Sequence, residues 1–221
     1  MKNKRIEIPE VCKQIKDGMT LMIGGFLAVG TPEGLVDQLV KNGTKDLTVI
    51  GNDTGWVDRG IGKLVVNHQV KTAIVSHVGT NPETGKQMHA GEMEVILTPQ
   101  GTLAEQIRSA GAGLGGFLTP TGIGTIVAEG KQVISIDGKD YLLEKPIKAD
   151  FALIKGKVAD EKGNIICHAT TRNFNPLMAL AADVVIAEVD EIVPTGELHY
   201  DSIIIPGILV DYLCLSAGGA K

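Results

Sequence analysis

A chain of 221 residues, 43% hydrophobic and 21% charged, is long enough to bury one sizeable core and short for two, so a single domain over residues 1–221 is expected. With 21 lysines and arginines against 26 aspartates and glutamates, the formal net charge is −5. That argues against general binding to nucleic acid or to an anionic membrane, both of which call for a basic surface; a polyanionic ligand would have to be held locally.

Glycine is the outlier, 28 residues or about 13% against roughly 7% in average usage. Together with the 9 prolines it still stays near 17%, below the roughly 25–30% of disordered chains. Of the 28 glycines, 22 fall at or before Gly138, so the backbone is specialised in the first two-thirds.

The opening stretch Met1-Lys2-Asn3-Lys4-Arg5-Ile6-Glu7 has charges with no apolar segment behind them, so no secretory leader is expected. Cys12, Cys167 and Cys214 are single and widely spaced, which fits reduced thiols with buried apolar roles in a cytoplasmic protein, and no disulfide framework or zinc cluster. Strands are predicted at Thr20-Leu21-Met22-Ile23, Leu47-Thr48-Val49-Ile50, Thr72-Ala73-Ile74-Val75 and Glu94-Val95-Ile96-Leu97, and later at Phe151-Ala152-Leu153-Ile154 and Val184-Val185-Ile186-Ala187. Several are consecutively apolar, as strands covered on both faces are.

Between the first two strands, Thr31-Pro32-Glu33 offers an N-cap, a proline at the first helical position and an acid in the first turn; the helix runs to about Lys41 and stops near Gly43. Thr102-Leu103-Ala104-Glu105 reads as a capping box with Gly111 just past the helix end. The longest uncharged run, 109–128, holds 11 Gly, Ser, Thr or Pro among its 20 residues, so no membrane span is expected there. Two hairpins follow, one turning at Asp137-Gly138 and one at Lys162-Gly163-Asn164, and Asn175-Pro176 opens a further helix. The expected fold is α/β: an open, mixed, largely parallel sheet with flanking helices and additional β-hairpins, or a small second sheet.

The most informative stretch is Asp17-Gly18-Met19-Thr20-Leu21-Met22-Ile23-Gly24-Gly25-Phe26-Leu27-Ala28-Val29-Gly30-Thr31-Pro32. A strand runs into a glycine-punctuated loop and then into a helix start, an arrangement that brings backbone close to a ligand and leaves N–H groups for a phosphate or a developing oxyanion. An ordinary strand-to-helix turn would use the same glycines. The full pattern, Asp-Gly, three apolar residues, Gly-Gly-Phe, then Gly and Pro at fixed spacing, resembles the signature of the family I 3-oxoacid CoA-transferases. The resemblance continues through Gly51-Asn52-Asp53-Thr54-Gly55, Gly79-Thr80-Asn81-Pro82-Glu83-Thr84-Gly85, Thr98-Pro99-Gln100-Gly101-Thr102, Gly111 to Phe117 and Arg172-Asn173-Phe174-Asn175-Pro176.

It implies the alpha subunit of a heteromeric enzyme that moves CoA between short-chain acyl-CoA or acetoacetyl-CoA and carboxylic acids such as acetate, butyrate and acetoacetate. The implied partner is a beta subunit, in an alpha2beta2 heterotetramer, and CoA is the cosubstrate with no metal. The resemblance gives Gly24, Gly25, Phe26, Leu27, Ala28, Val29 and Gly30 to CoA binding. The reaction needs a carboxylate nucleophile, in this family a glutamate in a Ser-Glu-Asn-Gly context, which this chain lacks; the catalytic glutamate is therefore expected on the beta subunit.

Left to this chain are contacts to the reacting carbonyl, for which the resemblance offers Asn52 and Gln100; turn chemistry is the competing reading of both. Glu92, Glu94, Glu188, Asp190 and Glu191 read as solvated or capping acids, and His77, at a strand end, as a structural histidine. His68, His89, His168 and His199 show no metal-ligand spacing, and Trp56 could be buried or face a ligand. Gly111-x-Gly113-x-x-Gly116 matches a dinucleotide fingerprint formally but lacks the strand before it and the helix after it; an NAD-binding oxidoreductase module is the alternative it keeps open, with a non-catalytic CoA-binding chain as another.

Overall fold

The apolar run Thr20–Ile23 forms β1 and lies in the middle of the principal sheet of the computed structural model, which describes residues 4–217. Three residues of the charged opening stretch, and Gly218 and Gly219, lie outside the described residues. From the start the elements are α1 (Ile8–Val11), β1, α2 (Glu33–Asn42), β2 (Leu47–Ile50), α3 (Gly62–Val66), β3 (Val70–Val75), α4 (Pro82–Ala90), β4 (Glu94–Leu97) and α5 (Gln100–Gly111). After them come β5 (Phe117–Thr119), β6 (Val133–Ile136), β7 (Lys139–Glu144), β8 (Ala149–Asp160), β9 (Ile165–Ile166), α6 (Asn175–Met178), β10 (Ala182–Val193) and β11 (Tyr212–Leu215).

The large sheet has the order β11-β10-β8-β1-β2-β3-β4, every neighbouring pair parallel, with β9 added antiparallel to β8. Alternation along the strands divides the core into two layers. Leu21 and Ile23 of β1 join Leu35, Leu39, Leu64 and Val65 of α2 and α3 on one side. Met22 joins Leu103, Ile107 and Met178 of α5 and α6 on the other. Burying both faces is what parallel strands with crossover helices require, and it accounts for the unalternated apolar runs. The edge strand β4 departs from that expectation: Ile96 and Leu97 are 42% and 53% exposed, because no strand lies beyond it and its outer face lacks a covering layer.

The order reverses between β1 and β8, which makes the carboxyl end of that pair the topological switch point where ligands of open α/β sheets bind. The chain itself occupies the crevice there: Asn175 Oδ1 accepts from Lys155 N–H (2.9 Å), and its Nδ2 donates to Gly30 O (3.0 Å).

Two helix starts differ from their sequence signals. α2 begins at Glu33 with Pro32, not Thr31, in the capping position and no side-chain cap of its own; Gly43 ends it in the left-handed conformation, as predicted. α5 begins at Gln100 behind Pro99, so Thr102 sits in the first helical turn and its capping box does not form; Glu105 pairs instead with Arg108 (2.7 Å). The fixed φ of Pro99 (−51°) and its missing N–H suit it to the boundary, which moves the start three residues earlier. Gly111 is the last helical residue rather than the first beyond the helix.

The second sheet, β5-β7-β6, is antiparallel and turns at Asp137 (φ 52°) and Gly138 (φ 76°), the two-residue hairpin that the Asp-Gly pair predicts. In the other hairpin Asp160 Oδ1 accepts the N–H groups of Lys162 and Asn164, both at 2.9 Å, closing the turn between β8 and β9.

Candidate functional site

The segment 24–30 leaves β1 as a tight turn. Phe26 and Val29 exchange backbone hydrogen bonds (3.0 and 2.9 Å), and Leu27 and Ala28 between them both have positive φ, 47° and 68°. Such backbone costs a non-glycine residue roughly 1–2 kcal/mol each, so the turn persists only where its surroundings hold it. Asp53 Oδ2 accepts the Leu27 N–H (2.8 Å), Asn173 Oδ1 accepts the Gly25 N–H (3.2 Å), and Asn173 Nδ2 donates to Val29 O (2.9 Å).

Packing within the chain alone already requires the first two glycines here. A Cβ on Gly24 would lie 1.8 Å from Asn175 Oδ1, and one on Gly25, whose φ is 130°, would lie 2.1 Å from Thr31 Oγ1. That second contact is also where the Thr31 side chain goes instead of capping α2. Among the N–H groups of 24–30, those of Ala28 and Gly30 have no hydrogen-bond partner among the described residues.

The start of α2 is not the free anion site expected from the loop-to-helix pattern. Glu188 of β10, 3% exposed, reaches across and accepts the Leu35 N–H on Oε2 (3.0 Å), supplying the negative charge a helix start attracts. Its other oxygen accepts from Ser216 Oγ (2.9 Å) and lies 3.5 Å from Lys155 Nζ. Glu188 thus caps, as the sequence suggests, but from the core rather than from solvent.

A cavity of about 300 Å³ opens beside the turn, lined by Phe26, Leu27, Asn52, Ser76, His77 and Gln100. The residues come from the carboxyl ends of four successive parallel strands, β1 to β4, so the sheet fixes their spacing. Asn52 and Gln100 meet: Gln100 Nε2 donates to Asn52 Oδ1 (2.6 Å), and Asn52 Nδ2 donates to Asp53 Oδ2 (2.7 Å). Ser76 Oγ donates to the Asn52 carbonyl (2.7 Å). Asn52 is 3% exposed whereas Gln100 is exposed, so Gln100 presents an amide to the cavity and Asn52 stands behind it. The lining holds amides, a hydroxyl and an imidazole but no lysine or arginine, an arrangement suited to a carbonyl that gains negative charge during reaction.

His77, read from sequence as structural, lines this cavity with no side-chain hydrogen bond among the described residues. Trp56 is 40% exposed on a second turn built like the first: Trp56 and Arg59 pair across Val57 and Asp58, between Gly55 and Gly60, as Phe26 and Val29 do between Gly25 and Gly30. The shared pattern Gly-aromatic-x-x-x-Gly was a legible signal for this pair of turns. Glu92 sits opposite His68 (3.3 Å) and Glu94 takes a hydrogen bond from Thr72 on the sheet edge (3.3 Å), away from the cavity lining.

Burial pushes the Cys12 thiol up to about 12, with the nearby Glu188 carboxylate adding to it, and likewise the Cys214 thiol to about 12, with Cys12 and Glu188 adding. Both are fully buried in the core layer that holds Leu21 and Leu35; Cys167, only partly buried, is also raised by burial, against the opposing charge of Arg172. Gly111-x-Gly113-x-x-Gly116 spans the end of α5 and the approach to β5, so it lies outside any strand-to-helix crossover and the dinucleotide reading fails. Among the described residues no group of three or more His, Cys, Asp or Glu is placed to hold a metal, and no helix is long and apolar enough to cross a membrane.

The family model described as coenzyme A transferase matches residues 7–216. The acetate CoA-transferase subunit alpha of Escherichia coli (strain K12) is 55% identical over 98% of this chain and 98% of its own. The acetoacetyl-CoA:acetate/butyrate CoA transferase alpha subunit of Clostridium acetobutylicum is 51% identical over 96% of this chain and 98% of its own. Among solved structures, an acyl-CoA transferase from E. coli O157:H7, captured as a thioester complex with CoA, superposes with a TM-score of 0.87 at 24% identity. It aligns with all of this chain, which spans 49% of that longer one, and the likeness is one of fold.

Proposed function

The chain belongs to the coenzyme A transferase family, and we propose that it is the alpha subunit of an enzyme that exchanges CoA between acetoacetyl-CoA or short-chain acyl-CoA and acids such as acetate and butyrate. One observation carries the site assignment: the turn at 24–30 forms a wall of the same cavity into which Gln100 presents its amide. CoA would lie against the turn, where the Ala28 and Gly30 N–H groups remain available, and the thioester carbonyl would sit at Gln100.

The chemistry follows from what such a half-site lacks. A glutamate carboxylate of the beta subunit attacks the thioester carbonyl, and the developing oxyanion is stabilised by the Gln100 amide, with Asn52 holding that amide in place. Collapse releases CoA thiolate and leaves an acyl-glutamyl anhydride; the thiolate then attacks the glutamyl carbonyl, forming the enzyme thioester and releasing the acid as its carboxylate. The acceptor acid runs the same steps in reverse. A lining without lysine or arginine on this chain serves both directions, because it stabilises the oxyanion without trapping either carboxylate on a fixed cation.

The proposal extends to an alpha2beta2 assembly working in the cytoplasm, with this chain as one domain that contributes part of each active site. The test is transfer from acetoacetyl-CoA to acetate or butyrate by this chain alone and with a beta-type partner. Turnover is expected only in the mixture; turnover by the isolated chain would refute the shared site, and inactivity of every mixture would refute the transferase reading.

A further inference from the structure

We propose that Asp53 is a positioning residue for the transfer reaction, a carboxylate that sets both the turn at 24–30 and the polarity of the amide pair at the cavity. The proposal rests on the transferase reading of that cavity and adds to it a residue outside the lining. Asp53 is 4% exposed and forms no ion pair among the described residues, an expensive place for a charge unless hydrogen bonds replace the lost water. Three N–H groups converge on it: Leu27 N–H (2.8 Å) and Asn52 Nδ2 (2.7 Å) on Oδ2, and Gly55 N–H (2.7 Å) on Oδ1.

A carboxylate only accepts, and that property propagates. Because Oδ2 accepts, Asn52 must turn its Nδ2 towards Asp53 and its Oδ1 away. Because Oδ1 of Asn52 then faces Gln100, Gln100 must offer Nε2 to it, at 2.6 Å. Each amide could fit its space in either orientation; the acceptor at the end of the chain selects one. The same Oδ2 atom takes the Leu27 N–H at a point where Leu27 and Ala28 both have positive φ, so the turn and the amide direction depend on one oxygen.

Asp53→Asn keeps the shape and removes the rule. An amide nitrogen at the Oδ2 position would donate to Asn52 Oδ1, let Asn52 and Gln100 invert, and place donor against donor at Leu27. The experiment uses the complex with a beta-type partner, and acetoacetyl-CoA to acetate transfer as the readout. Asp53→Asn is expected to lower kcat at least about tenfold through the amide pair and to raise KM for acetoacetyl-CoA at least about threefold through the loosened turn, and Gln100→Ala to lower kcat about a hundredfold. Acting on kcat through Gln100, Asp53→Asn should lower it less than about twofold further in the Gln100→Ala background.

Multiplying losses, or a wild-type rate in Asp53→Asn, would overturn the proposal. If Asp53→Asn does not fold, Asn52→Ala cuts the chain at its middle and carries the same cycle. Hydrogen exchange of the 24–30 segment reads the tie without turnover: faster exchange in Asp53→Asn supports it, and unchanged exchange overturns it, even where an inactive wild-type complex has refuted the transferase reading.

Discussion

Gln100 Nε2 donates to Asn52 Oδ1 over 2.6 Å, joining the first residue of α5 to the end of β2 across 48 residues of chain. The bond leaves one N–H of the exposed Gln100 for a substrate oxygen. Gln100→Ala should therefore lower kcat by about a hundredfold, the scale of losing one preorganised oxyanion donor, while the melting temperature of the complex stays unchanged because the side chain is exposed. Steady-state kinetics beside a thermal melt checks both; a matching fall in stability would assign Gln100 to structure alone.

Glu188 behaves differently, since it is buried between the α2 start, Ser216 and Lys155. Glu188→Ala should destabilise the chain by about 3 kcal/mol, at the low end for breaking a buried ion pair because Lys155 keeps Asp190 at 2.6 Å. Urea unfolding measures it, and a loss under about 1 kcal/mol would mean that the pair is not a buried tie.

The glycines separate into two kinds with opposite outcomes. Gly85 lies inside α4 with nothing within 4 Å of the position a Cβ would take, so Gly85→Ala should stabilise by about 0.5–1 kcal/mol. Gly24→Ala would press a carbon to 1.8 Å from Asn175 Oδ1 and should destabilise by about 2 kcal/mol or more. Thermal melts of the two variants decide it, and a tolerated Gly24→Ala would return that position to ligand clearance.

The two buried thiols give the alkaline limb of stability a sign. Their folded values, raised to about 12 from 9.0, keep them protonated while an unfolded chain ionises, so stability is fully present below pH 9 and is lost as pH rises towards 12. Each thiol should contribute a slope of up to about 1.4 kcal/mol per pH unit across that window. Unfolding free energies of Cys12→Ala and Cys214→Ala between pH 8 and 10.5 should show a shallower decline than the parent; parallel declines would contradict the burial assignment.

Local pattern was legible where a residue's neighbours in sequence are also its neighbours in space. β1, β2 and β4 begin and end where the apolar runs do, and Asp137-Gly138 makes its hairpin, because strands and two-residue turns are decided within a few residues. Thr102 was misleading for the same local reason: its capping pattern is intact, but Pro99 starts the helix first. Glu188 reaching Leu35 spans 153 residues, and no spacing rule anticipates it. Family resemblance points to Asn52 and Gln100, which the structure brings into contact, whereas the contact of Asp53 with Leu27 depends on where β1 delivers that residue and no local pattern shows it.

The most direct test of the central claim, that this chain holds part of an active site whose nucleophile lies elsewhere, is intact-mass analysis of the complex with a beta-type partner after brief exposure to acetoacetyl-CoA. The covalent CoA adduct should appear on the partner chain alone, with this chain at its unmodified mass. An adduct on this chain would contradict it.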